Sequence, residues 1–184
     1  MNGIPDRAKY GIVVLGNLDP HNWSSADCFA PMMCSPLELR LLIVFAAKRK
    51  RIPKTGDVSQ AFCQSVLPDD EQYVIRPPKV CPITPSDTYL LLKKTLYGLK
   101  RSPRHWYNTC RKALAALGLF PCPNAHCIFS GTIIDGKPPL YLGLFVDDFI
   151  SFSDSDAVKT AFEQGFASHF TTDFQGPIKH FLSN

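Results

Sequence analysis

Two adjacent aspartates, Asp147 and Asp148, stand inside the run Leu142-Gly143-Leu144-Phe145-Val146-Asp147-Asp148-Phe149-Ile150-Ser151-Phe152. No other stretch limits the possible folds of this chain as much. Two apolar, β-prone runs that meet at a pair of acids read as a hairpin carrying carboxylates at its tip. An ordinary turn also uses Asp, so the residue type alone decides little. The flanking residues, however, are large and apolar. Two like charges roughly 4 Å apart repel by about 4 kcal/mol at an effective dielectric near 20, and a bound cation removes that repulsion. The run is therefore either a turn or a cation site.

Around this hairpin the pattern alternates helices with short strands. Ser35-Pro36-Leu37-Glu38 is a helix start, with Ser as N-cap, Pro at the first helical position and Glu three residues after the cap. Leu39, Leu41, Leu42, Phe45 and Ala46 continue it to the cations Lys48-Arg49-Lys50-Arg51. A second helix starts at Ser102-Pro103 and carries Trp106, Cys110, Ala113, Leu114 and Leu117 before Gly118. Residues 155–166 form a third, and Phe162, Phe166 and Phe170 recur every four residues as core positions. Strands are expected over residues 10–15, up to Asp57-Val58, and over 73–75, 89–92, 128–134, 140–146 and 149–152, with Phe174, Ile178 and Phe181 closing the tail. The class that results is α+β.

The 184 residues suffice for one domain, and an apolar share of 45% supports a continuous core. A net charge of +4 permits contact with phosphates without arguing for nucleic acid by itself. The longest apolar run, residues 37–47, is interrupted by Glu38 and Arg40 and is too short to span a bilayer; no signal peptide opens the chain. Seven cysteines at irregular spacing fit free thiols in a reducing compartment. Cys122, His126 and Cys127 lie too close together, with no second pair at finger spacing, for a zinc site.

Two further segments carry chemistry. Asp57 ends a strand in Asp57-Val58-Ser59-Gln60-Ala61-Phe62. Alone it is a cap or a surface charge; beside the hairpin it brings a third carboxylate, a set suited to two Mg²⁺ ions in phosphoryl transfer. Leu96-Tyr97-Gly98-Leu99-Lys100-Arg101-Ser102-Pro103-Arg104 places a glycine, several cations and a helix N-terminus together. That combination suits a phosphate, or a basic loop over a core helix.

Taken in order, the three segments resemble the polymerase motifs of copia-type LTR retrotransposon reverse transcriptases. Asp57-Val58-x-x-Ala61-Phe62 is similar to the first catalytic motif. Lys93-Lys94-x-Leu96-Tyr97-Gly98-Leu99-Lys100-x-Ser102-Pro103-Arg104-x-Trp106-Tyr107 is the most specific of the three, and Phe145-Val146-Asp147-Asp148 resembles the aromatic-x-Asp-Asp hairpin. The resemblance implies a palm, an antiparallel sheet with helices packed on one face, plus partial fingers. It implies an RNA-directed DNA polymerase that adds deoxynucleotides to a primer 3′-hydroxyl. Asp57, Asp147 and Asp148 would be catalytic and would hold two Mg²⁺ ions, for which Mn²⁺ substitutes, with the backbone of Val58 alongside. Lys9, Phe62, Tyr97 and Gly98 would border the nucleotide, Phe62 as a gate against a 2′-hydroxyl, and Lys100, Arg101 and Arg104 would face nucleic acid.

The same resemblance implies partial fingers over residues 1–56 and a palm over 57–184, with a fingers segment inserted at about 70–100 and no thumb. Its implied partners are an RNA or DNA template, a DNA primer, deoxynucleoside triphosphates and the thumb and ribonuclease H regions of a longer polyprotein, with no membrane. The implied location is cytoplasmic, in a virus-like particle, or nuclear, and not secreted. Two positions depart from the pattern. Gly11 stands where the family has an arginine that grips triphosphate, and Ser183 replaces the glycine of a Phe-Leu-Gly ending. A receiver domain and a nucleotidyl cyclase fit the segments less well. The competing reading is a catalytically silent remnant that keeps the palm and at most binds nucleic acid.

Overall fold

The computed structural model describes residues 11–31, 34–77 and 88–178. After a 3-10 turn, Gly16–Leu18, come α1 (Ser25–Cys28), α2 (Pro36–Lys48) and β1 (Lys54–Val58). A second 3-10 turn, Ala61–Gln64, leads to β2 (Val74–Ile75), β3 (Leu90–Leu91) and α3 (Ser102–Ala116). The chain continues through β4 (Leu119–Cys122), β5 (Ala125–Gly131), β6 (Leu140–Phe145), β7 (Asp148–Ser153), α4 (Asp156–His169) and β8 (Thr172–Pro177).

Six strands make one sheet in the order β4-β5-β6-β7-β1-β8, each neighbouring pair antiparallel, while β2 and β3 pair separately. Consecutive hairpins account for β4 to β7. The early strand β1 then slots between the late strands β7 and β8, and this insertion brings the end of β1 beside the β6–β7 hairpin.

The helix starts follow the expected capping chemistry. Ser35 accepts from the Glu38 amide at 3.2 Å while the Glu38 carboxylate accepts from the Ser35 amide at 2.5 Å. The Ser155 hydroxyl accepts from the Val158 amide at 3.4 Å at the head of α4. At α3 the serine is already inside the helix: Ser102 is buried and donates to the Leu96 carbonyl at 2.6 Å. Gly118, at φ +80°, ends this helix in the left-handed conformation glycine tolerates.

Alternation along β7 sorts its side chains onto two faces. Phe149 joins the main core with Leu142, Leu144, Trp106, Leu114, Phe162 and Phe166, contributed largely by α3 and α4. Its ring meets those of Phe162, Phe166 and Phe174 edge-on at 5.9, 5.4 and 5.9 Å. Ile150 and Phe152 pack instead with Leu42 and Ala46 of α2. Burying each such aromatic or aliphatic side chain contributes about 1.5–3 kcal/mol. Arg49 and Arg51 both bind Asp154, tying the end of α2 to the end of β7; these hydrogen bonds, Arg49 first, hold the Asp154 carboxyl below the usual range.

The structure departs from the sequence expectations in several places. Residues 11–15 belong to no strand; instead the Val14 amide donates to the Tyr97 carbonyl at 2.8 Å. Tyr10 and Phe181 lie outside the described residues. β4 and β8 are strands that the sequence expectations do not include. Each is an edge of the sheet, and Leu119 and Phe174 pack it against the main core.

Candidate active site

β1 delivers Asp57 at its end, and the β6–β7 hairpin delivers the other two acids. Asp57 is the direct cross-strand partner of Asp148. Side chains so paired leave the same face of the sheet with Cβ atoms about 4.5–5.5 Å apart. A further hydrogen bond, from the Val58 amide to the Asp147 carbonyl at 2.9 Å, clamps the strand end to the hairpin tip.

The tip is a two-residue turn, because Phe145 pairs with Asp148. Its first residue, Val146, sits at φ +58°, a region hostile to β-branched side chains and normally given to glycine in such turns. Strain of this kind costs about 1–3 kcal/mol and persists only where the surroundings over-determine it. Here the surroundings include Trp106, wholly buried, whose Nε1 donates to the Val146 carbonyl at 2.7 Å.

Burial pushes the Asp148 carboxyl above its usual range, and the charges of Asp147 and then Asp57 push it further. Tyr97 is also raised, first by burial and then by Asp147, Cys63 and Asp57. Among the described residues no group of three or more His, Cys, Asp and Glu side chains is arranged to hold a metal ion. The donor chemistry nonetheless suits Mg²⁺, which takes hard oxygens, uses one or two carboxylates and fills the rest of its shell with water and substrate phosphates.

The nucleotide-side residues gather beside this edge. Phe62, on the 3-10 turn that follows β1, faces Tyr97 with ring centroids 4.8 Å apart, and its carbonyl accepts from the Thr95 hydroxyl. Gly98, at φ +96°, is exposed on the same loop. A cleft of about 440 Å³ opens between Ile12 and Val13 on one side and Gln60, Cys63, Leu96 and Tyr97 on the other. Val58 is fully buried. Lys9 lies outside the described residues.

The three cations near α3 have different surroundings. Lys100 is exposed. Arg101 is engaged within the protein: it pairs with the buried Glu71 at 2.7 Å and lies over the Trp23 ring at 4.3 Å. Arg104 donates to the Ala26 carbonyl at 2.6 Å. Sequence reasoning missed Glu71, which also binds the Tyr73 hydroxyl at 3.1 Å and His105 at 2.8 Å. It missed Asp173 too, the partner of Asp57 on its other side, in β8. The polar–apolar alternation Asp173-Phe174-Gln175 was the available signal for that strand.

Several known proteins share this sequence pattern. The family described as reverse transcriptase (RNA-dependent DNA polymerase) matches residues 5–184. The retrovirus-related Pol polyprotein from transposon RE1 of Arabidopsis thaliana is 30% identical over 149 residues, 81% of this chain and 10% of that protein. Its counterpart from transposon RE2 is 29% identical over the same shares. The truncated transposon Ty1-A Gag-Pol polyprotein of Saccharomyces cerevisiae is 34% identical over 98 residues, 53% of this chain and 7% of that protein. The chain thus spans about a tenth of the plant relatives. No solved structure is significantly similar.

Proposed function

Because this chain belongs to the reverse transcriptase family, as a polymerase domain of the Ty1/copia-type Pol polyproteins, we propose that it extends a DNA primer on an RNA or DNA template. The observation that carries this reading is the pairing of Asp57 with Asp148, locked by the Val58–Asp147 hydrogen bond of 2.9 Å. In this reading residues 1–56 are partial fingers and 57–184 are palm, with the inserted fingers segment at about 70–100.

Asp57, Asp148 and Asp147, with the Val58 backbone, would hold Mg²⁺, or Mn²⁺ in its place. The bound ions would supply charge neutralisation for the attacking oxygen and the pyrophosphate leaving group. The chain's own residues do the positioning. The primer 3′-hydroxyl forms the new ester bond at the α-phosphorus while the bond to pyrophosphate breaks, and such transfers depend mainly on orientation and charge. Phe62, braced by Tyr97, fills the space beside the sugar and excludes a 2′-hydroxyl. Lys100, exposed at the head of α3, faces the template phosphates, with Lys9, Gly98 and Arg104 serving the nucleotide and template sides. Arg101 reaches nucleic acid only if it leaves Glu71. Template, primer and deoxynucleotides are the partners, together with thumb and ribonuclease H regions of a longer polyprotein, in a cytoplasmic particle or the nucleus. Among the described residues no helix is long and apolar enough to cross a membrane.

Primer extension on an RNA template with Mg²⁺ or Mn²⁺ tests the proposal. Extension by the parent chain, lost in both Asp57→Asn and Asp148→Asn, is the expected result. Primer–template binding without any extension under either ion would establish the silent remnant instead.

A further inference from the structure

We infer that Gly16 is a positioning residue for the nucleotide cleft: its backbone seats against that of Gly98 and so holds residues 11–15 in place as the cleft's outer wall. The inference rests on the polymerase reading and names a residue none of the catalytic motifs contains.

The contact needs glycine at both positions. A Cβ at Gly16 would stand 1.9 Å from the Gly98 carbonyl oxygen. A Cβ at Gly98 would stand 1.9 Å from the Val14 carbonyl oxygen and 2.8 Å from Val13 Cγ1. Both obstacles at 1.9 Å are backbone atoms, which cannot swing aside as a side chain can. Between these contacts the Val14 amide donates to the Tyr97 carbonyl at 2.8 Å. The segment and the Tyr97–Gly98 loop are therefore joined backbone to backbone at Val14 and at Gly16.

The strap has an inner and an outer role. Val14 packs against the small core of Leu67, Tyr73 and Leu99, which anchors it. Ile12 and Val13 line the cleft of about 440 Å³ opposite Gln60, Cys63 and Tyr97. Tyr97 in turn meets Phe62, whose 3-10 turn follows directly on the strand that carries Asp57. A shift of the strap thus changes the width of the cleft and leaves the acids untouched. Gly11, in that strap, lines the cleft without a side chain, and a Cβ built there would meet nothing within 4 Å among the described residues.

The test measures equilibrium binding of a fluorescent deoxynucleoside triphosphate to the full chain, with Mg²⁺ and a dideoxy-terminated primer–template. Gly16→Ala is expected to weaken nucleotide binding about tenfold, equivalent to about 1.4 kcal/mol, since its Cβ would meet a backbone oxygen at 1.9 Å and must displace the strap. Primer–template affinity is expected to stay at the parent value, a split that general loss of structure does not produce. Nucleotide affinity equal to the parent's overturns the inference. If Gly16→Ala fails to fold, Val13→Ala removes wall surface while leaving both glycines in place; it should still weaken the nucleotide severalfold, and an unchanged Kd overturns the inference in the same way. A parent chain that binds no nucleotide at all overturns the polymerase reading itself, and the wall with it.

Discussion

Trp106 and Val146 are 40 residues apart in sequence and joined by a single hydrogen bond, indole Nε1 to carbonyl oxygen at 2.7 Å. The bond links α3, the helix of the most specific sequence segment, to the one residue of the acidic hairpin whose backbone is strained. Trp106 is also completely buried and meets Phe170 edge-on at 5.1 Å. One side chain therefore serves both the core and the aim of the two aspartates.

Trp106→Phe should keep most of the core and lose the hydrogen bond, leaving a carbonyl without its donor at a cost of about 1–3 kcal/mol. Urea unfolding would show that loss, and primer extension should fall with it. Val146→Gly is the complementary change. It relieves the positive φ and should leave stability equal or raise it by up to about 1 kcal/mol, with extension reduced if the strain helps aim the acids. A Trp106→Phe protein as stable as the parent would remove the hydrogen bond from this account.

Asp148 gives a pH prediction whose sign follows from its environment. Its folded-state value is raised above 3.8 by burial and by Asp147 and Asp57. The folded state therefore holds the proton more tightly than the unfolded state, and stability falls as pH climbs through the window from 3.8 to the raised value. Above that window the ionised pair weighs against folding. Asp148→Asn should accordingly be more stable than the parent at neutral pH without divalent ions, and the gap should narrow under acid. Adding Mg²⁺ should raise the melting temperature of the parent more than that of the variant. Thermal melts across pH, with and without the ion, would measure both effects; a neutral-pH variant less stable than the parent contradicts the argument.

Glu71 is 2% exposed, and its carboxylate meets Arg101, His105 and the Tyr73 hydroxyl. Removing one partner of a buried charged set leaves the others desolvated and unpaired, typically at about 3–5 kcal/mol. Glu71→Ala should show a loss of that order in urea. Arg101 would then retain chiefly its stacking on Trp23. The same variant should loosen residues 19–23, since Asp19, His21 and Trp23 all touch Tyr73 or one another in this network. Hydrogen exchange of these residues is the corresponding readout, and unchanged protection would place the network's weight elsewhere.

Much of this protein is written locally. The hairpin at Asp147-Asp148, the capping box at Ser35 and Glu38, and the Phe162-Phe166-Phe170 stripe each depend on neighbours within a turn or two. A short window therefore contains all the information needed to read them. The motif segments 57–62, 93–107 and 145–148 could be recognised for the same reason.

Tertiary structure alone decided the rest. That β1 lies between β7 and β8, so that Asp57 meets Asp148 on one side and Asp173 on the other, follows from packing and from long-range strand pairing. Residues 11–15 have a strand's composition but become a strap, because two glycines far apart in sequence allow backbone to approach backbone. Arg101, a cation in a basic motif, turned inward because Glu71 and Trp23 were waiting for it. In each case the deciding free energy belongs to a contact between distant residues, and no local pattern encodes the partner that a distant segment will bring.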